Sequence, residues 1–172
     1  FSFFQTNTLA AERLYQEALG MIDELAGKRV FDLYCGTGTI SQIMALKAKE
    51  VVGVEIVEEA VGSARENAAL NGLDNCRFVA ADVFDALDEL KEPPDLMVLD
   101  PPRAGILPKT LSKILAYRSP QILYISCNPL TMAQNLAVMQ QEGYRVMRLK
   151  AYDNFPWTKH IECCCLLQRE EA

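Results

Sequence analysis

Apolar positions recur along this chain in two alternating rhythms. Residues 8–26 carry them at helical spacing, with Thr6 to Thr8 able to cap and Gly27-Lys28 closing the segment. Short apolar, β-branched runs follow at 29–34, 50–55, 76–82, 95–100 and 122–126. Each is succeeded by a helical stretch, at roughly 40–48, 57–71, 83–90, 109–117 and 130–142, and Asn71-Gly72 reads as a C-cap pair. Two more strands are expected at 144–151 and 161–167. The runs are apolar throughout, as in strands buried on both faces. The pattern predicts one α/β domain over residues 1–172, a doubly wound, mostly parallel seven-stranded sheet. No repeat, low-complexity segment or linker interrupts it.

Composition narrows this little. The 172 residues suffice for one real core, half of them are apolar, and mean hydropathy is near zero. No apolar run approaches the roughly 20 residues that cross a membrane. Residues 1–7 lack the basic start and apolar run of a signal peptide, and also an initiator methionine. A cytoplasmic setting without membrane contact is expected. The six cysteines form no C-x-x-C pair and three are consecutive (163–165), so no metal site is expected and reduced thiols are.

Charge changes the picture more. The net charge of −6 and pI of about 4.9 argue against this domain alone gripping a polyanion. An active site that handles a nucleotide docked by another module remains compatible with them.

Candidate chemistry gathers at strand ends, where open α/β sheets place ligands. Gly36 and Gly38 stand in the turn after the first strand, where a backbone must approach a ligand closely. Glu55 ends the second strand about 20 residues on, where an acidic side chain can bind ribose hydroxyls. Position 41 is Ser, so the third glycine of the dinucleotide fingerprint is missing. That disfavours NAD and favours a nucleoside without a pyrophosphate. Asp82 ends the third strand, as an adenine acceptor, a helix N-cap, or both. Asp100 ends the fourth, its loop stiffened by Pro101-Pro102. Such a ring of carboxylates calls for a donating or cationic ligand, and a sulfonium nucleoside fits.

The fifth strand runs into Ser126-Cys127-Asn128-Pro129, with Asn128-Pro129 reading as N-cap and first helical residue. Cys127 is either a small buried hydrophobe or a nucleophile whose pKa the helix N-terminus lowers. Near the last strand, His160 and Glu162 project to one side of an extended segment, and a partly desolvated Glu can serve as general base.

Together these motifs identify a resemblance. The chain resembles the class I S-adenosylmethionine-dependent RNA 5-methyluridine (uracil-C5) methyltransferases, through Phe4-Gln5-Thr6-Asn7, Asp32-Leu33-Tyr34-Cys35-Gly36-Thr37-Gly38, Asp100-Pro101-Pro102-Arg103, Ser126-Cys127-Asn128-Pro129 and His160-Ile161-Glu162. The resemblance spans essentially all 172 residues. It implies a Rossmann-like domain that methylates C5 of a uridine in RNA, rRNA in preference to tRNA. Gln5, Tyr34, Gly36, Thr39, Glu55, Asp82 and Asp100 would bind S-adenosylmethionine, although family members often carry Asn at the position of Thr39. Asp100 could equally touch the target base, with Phe3 or Phe4 packed beside it. Cys127 would be the nucleophile, Glu162 the base, and His160 a support. Full-length members carry an N-terminal RNA-binding barrel and an insert, so this would be the C-terminal catalytic part of a longer chain, with RNA docked largely by the missing domains.

Three other readings compete. Cytosine-C5 methyltransferases place their Cys after strand four, whereas here it follows strand five. N-methyltransferases share the Asp-Pro-Pro turn and need no Cys. A non-catalytic nucleoside-binding domain would bind cofactor without turnover.

Overall fold

The computed structural model describes residues 8–153, 157–158 and 161–170. Its elements run α1 (Thr8–Leu19), β1 (Arg29–Leu33), α2 (Thr39–Ala45), β2 (Glu50–Glu55), α3 (Glu58–Leu70), β3 (Cys76–Ala80), α4 (Val83–Glu89), β4 (Leu96–Leu99), α5 (Pro108–Ala116), β5 (Gln121–Ser126), α6 (Pro129–Gln141), β6 (Tyr144–Tyr152) and β7 (Glu162–Arg169). Every expected element is present. The first helix is shorter than its apolar pattern. It stops at Leu19 before Gly20, and a tight turn (Met21 N–H to Ala18 O, 3.1 Å; Ile22 N–H to Leu19 O, 3.0 Å) buries Met21 and Ile22 in non-helical backbone. Periodicity alone does not distinguish that turn from another helical one. The third strand also ends early, at Ala80, because Asp82 caps α4.

The seven strands form one sheet in the order β3-β2-β1-β4-β5-β7-β6. β1 to β5 are parallel, and β7 inserts antiparallel between β5 and β6. Between β1 and β4 the order reverses direction, so a crevice opens at the carboxyl ends of the strands. Alternate residues feed two cores. Phe31, Met97, Leu99, Ile122 and Tyr124 face the layer of α4, α5 and α6, whereas Val30, Leu96, Val98, Leu123 and Ile125 face α1 and α2. This explains the cysteine triplet. Cys163 and Cys165 fill one core and Cys164 the other, each a small buried hydrophobe on a two-faced strand. No helix among the described residues is long and apolar enough to cross a membrane.

Candidate active site

The β1 end of the crevice is built from backbone. Tyr34 adopts φ 68°, a left-handed conformation that costs a side-chain-bearing residue on the order of 1 kcal/mol. The turn holds because Cys35 N–H donates to Val54 O (3.0 Å) and Gly38 N–H to Cys35 O (2.9 Å). Gly36 N–H donates to Glu55 Oε2 at 3.1 Å, and Val57 N–H donates to Glu55 Oε1 at 3.0 Å. The structure thus brings Gly36 and Glu55 together and aims the Glu55 carboxylate across the turn. Gly38 has a different reason from the expected close approach to a ligand. A Cβ there would lie 2.6 Å from the Phe78 ring and 3.0 Å from Ala64 Cβ, so its smallness serves packing. Thr39 opens α2, exposed. Asp82 is exposed, and its Oδ1 accepts from Phe84 N–H at 2.8 Å, which makes it an N-cap with one carboxylate oxygen to spare.

Asp32 was not among the candidates. It is fully buried within β1; Oδ2 accepts from Ser41 Oγ of α2, and Oδ1 has no hydrogen-bond partner. Burial pushes its carboxyl up to about 7, with Glu55 adding to the rise and Ser41 opposing it. Asp100 at the end of β4 is raised to about 8, by burial first and then by Asp32 and Glu162. An orphaned buried carboxylate oxygen next to further acidic groups is an unfilled demand for a cation or a donor. The residues fit a cationic nucleoside. A charged residue inside an otherwise apolar buried strand was the signal for Asp32. Tyr15 of α1 also faces this cluster, its hydroxyl raised to about 12 by burial and then by Asp100, Asp32 and Glu162, and no feature of the α1 pattern singled it out.

Cys127 and Glu162 meet through strand register. Ser126 of β5 opposes Cys163 of β7 in the last pair of the antiparallel ladder, and Cys127 and Glu162 are the next residues beyond that pair, close enough for the Glu162 carboxylate to act on the thiol. Cys127 is partly exposed and Glu162 buried. The turn is pinned on both sides: Asn128 N–H donates to Ser126 Oγ (3.1 Å), and Asn128 Oδ1 caps α6 by accepting from Leu130 N–H (3.1 Å).

The expected lowering of the Cys127 thiol is not what the structure gives. Burial raises it first, then Glu162 and Asp100, while Arg103 pulls it down. Two carboxylates and desolvation outweigh the end of one helix. Glu162 is itself raised by burial, which suits a base that must take a proton near neutral pH. Gln5, Phe3, Phe4 and His160 lie outside the described residues.

Comparisons with known proteins identify the family. A family model described as tRNA (Uracil-5-)-methyltransferase matches residues 1–170. An uncharacterized RNA methyltransferase of Clostridium acetobutylicum is 48% identical over 170 residues, covering 99% of this chain and 37% of that relative. The 23S rRNA (uracil(747)-C(5))-methyltransferase RlmC of Shewanella amazonensis is 40% identical over 173 residues, covering 99% of this chain and 44% of the relative. Among solved structures, the tRNA (uracil-54, C5)-methyltransferase of Pyrococcus abyssi, in complex with S-adenosyl-L-homocysteine, superimposes with a TM-score of 0.83 at 31% identity, over 96% of this chain and 40% of that one. The chain spans about two fifths of the length of these relatives. With residues 1–170 matched end to end, the chain belongs to the tRNA (uracil-5-)-methyltransferase family.

Proposed function

We propose that this chain is the catalytic domain of an enzyme that methylates C5 of a uridine in RNA, rRNA in preference to tRNA, in the cytoplasm. The observation that carries the reading is the ladder pair Ser126–Cys163, beyond which the next residues are a thiol on one chain segment and a buried carboxylate on the other. C5 of uracil is a poor nucleophile. Addition of the Cys127 thiolate to C6 makes an enolate whose negative charge reaches C5. Bound S-adenosylmethionine supplies the sulfonium methyl that the activated C5 accepts. Glu162 then removes the C5 proton, and elimination releases Cys127. Asp32, Asp100, Glu55, Asp82, Tyr34, Gly36, Thr39 and Gln5 hold the cofactor: the acidic groups accept its donors and offset its positive charge.

Supporting this reading, the acidic cluster that raises the Cys127 thiol is the same one a cationic cofactor would neutralise, so nucleophile and cofactor are coupled. The target uridine must leave its stack to reach the crevice. Because the chain carries a net charge of −6, it has little long-range pull on RNA, so docking would fall largely to a separate RNA-binding module. The test is an RNA carrying 5-fluorouridine at the target, incubated with S-adenosylmethionine and a chain of the relatives' full length. Fluorine cannot leave as a proton, so a covalent RNA–protein adduct through Cys127 accumulates. An enzyme that methylates the unfluorinated RNA yet forms no adduct is not using this mechanism. An unchanged rate in Cys127→Ala would favour N-methylation instead.

A further inference from the structure

The loop between Asp100 and α5 does not rest on its prolines alone. It is clasped by α6. The Asn135 side chain makes a reciprocal pair with the backbone of Ile106: Oδ1 accepts from Ile106 N–H (3.1 Å), and Nδ2 donates to Ile106 O (3.1 Å). Oδ1 also accepts from Tyr124 Oη of β5 at 2.8 Å. The N–H and the C=O of one residue demand opposite partners, so the amide can sit only one way round. Asn135 and Tyr124 are both buried, and the bonds form away from water. Two neighbours on α6 complete the clasp. Asn128 Nδ2 donates to Arg103 O at 3.1 Å, and Thr131 Oγ1 approaches the same carbonyl at 3.4 Å. Gly105 takes φ +77°, and a Cβ there would sit 3.0 Å from Thr131 Cβ and 3.1 Å from Asn135 Oδ1. The loop is therefore pressed against α6 as closely as backbone allows.

Arg103 is the consequence. It is exposed, so water screens its charge and its influence depends on being held close to its target. Its carbonyl is tied to Asn128, the residue next to Cys127. Among the described residues, Glu162 from β7 and Asp100 from β4 oppose that cation, and Tyr124 of β5 is within electrostatic reach of the thiol. We propose that Asn135, braced by Tyr124, is a positioning residue of this site. It fixes the Asp100–Leu107 loop on α6 so that Arg103 stays beside Cys127 and favours its thiolate. The proposal rests on the reading of Cys127 as the nucleophile.

The test is the pH profile of Cys127 alkylation by iodoacetamide, followed on the Cys127 peptide by mass spectrometry in this chain. Asn135→Leu removes the clasp. Tyr124→Phe removes only one hydrogen bond and keeps the ring, so it reports if Asn135→Leu fails to fold. Loss of the clasp is expected to raise the midpoint by about one pH unit, a tenfold slower reaction below it, with a smaller rise for Tyr124→Phe. In an Arg103→Gln background neither substitution should add to the rise that Arg103→Gln itself causes. Folded variants with the parental midpoint, or with the same rise in the absence of Arg103, overturn the proposal and leave the network a stability element. Parental methylation by Cys127→Ser in the full-length protein would instead sink the reading of the nucleophile, whatever the alkylation shows.

Discussion

The two halves of the crevice solve the same problem by different means. On the β1–β2–β3 side the groups proposed to face the cofactor are held by backbone: a left-handed Tyr34, two glycines, and amides that orient Glu55. On the β4–β5–β7 side they are held by side chains: Asn135 and Asn128 clamp a loop, and an antiparallel return brings Glu162 to Cys127. Backbone devices tolerate few substitutions, yet each is local. Side-chain devices are spread over elements far apart in sequence, and they surround the two groups proposed to react. The first half should thus fail by losing stability and affinity, the second by losing rate.

Four substitutions break or sharpen that contrast. The largest effect belongs to Glu162→Gln, which should lower methylation by about 10²–10⁴-fold while leaving cofactor affinity nearly unchanged, with an RNA adduct now accumulating on ordinary uridine. Rapid-quench turnover beside a calorimetric titration checks this; a loss of affinity in place of rate would place Glu162 in the other half.

Next comes pH. Asp32 and Asp100 are raised from 3.8 to about 7 and about 8. Between those values the folded protein keeps protons that the unfolded chain has lost, so stability should fall as pH climbs from about 4 to about 8 and level off above. Cofactor affinity should rise over the upper part of the same range, as the carboxylates ionise. Asp32→Asn should flatten part of the stability slope in thermal melts taken across pH, and a profile identical to the parent's would remove Asp32 from the account.

Smaller again is Gly38→Ala, which must displace the Phe78 ring and strain a left-handed position; about 1–3 kcal/mol of stability should go. Chemical denaturation measures it, and a neutral result would mean that Phe78 yields freely. The smallest effect on stability, within about 0.5 kcal/mol, is expected of Asp82→Asn, since Asn caps as well as Asp. Its cofactor affinity should still drop by about tenfold if the second carboxylate oxygen takes a ligand donor. Equal affinities would leave Asp82 a cap and nothing more.

How much of this was legible follows the same division. Strand–helix alternation gave all thirteen elements, because buried strands and amphipathic helices write different periods. The backbone half was visible as glycines and strand-end acids at fixed spacing. Even so, Gly38 proved to answer to Phe78, a contact that nothing local announces. In the reactive half, Cys127 stood out because a thiol interrupts an apolar run before an N-cap. The register that faces it with Glu162 did not stand out, since 35 residues separate them and pairing partners are set by the whole sheet. Asn135 and Tyr15 look like ordinary helix residues. Their significance lies in what other elements bring to them. The thiol's raised pKa was missed for the same reason: a local rule about helix ends met burial by the finished fold and then two carboxylates contributed by distant strands.

The strand order carries a consequence for synthesis. β7 lies between β5 and β6, although both precede it in the chain. While the polypeptide is being made, Cys127 can be complete and capped while β5 still has an open edge, because β6 joins the sheet through β7. Until β7 pairs with that edge, nothing in the sheet holds Glu162 near Cys127. On the mechanism proposed above, a chain at that stage has its thiol without the carboxylate that would complete the reaction. The interior position of the late strand would then tie turnover to closure of the fold.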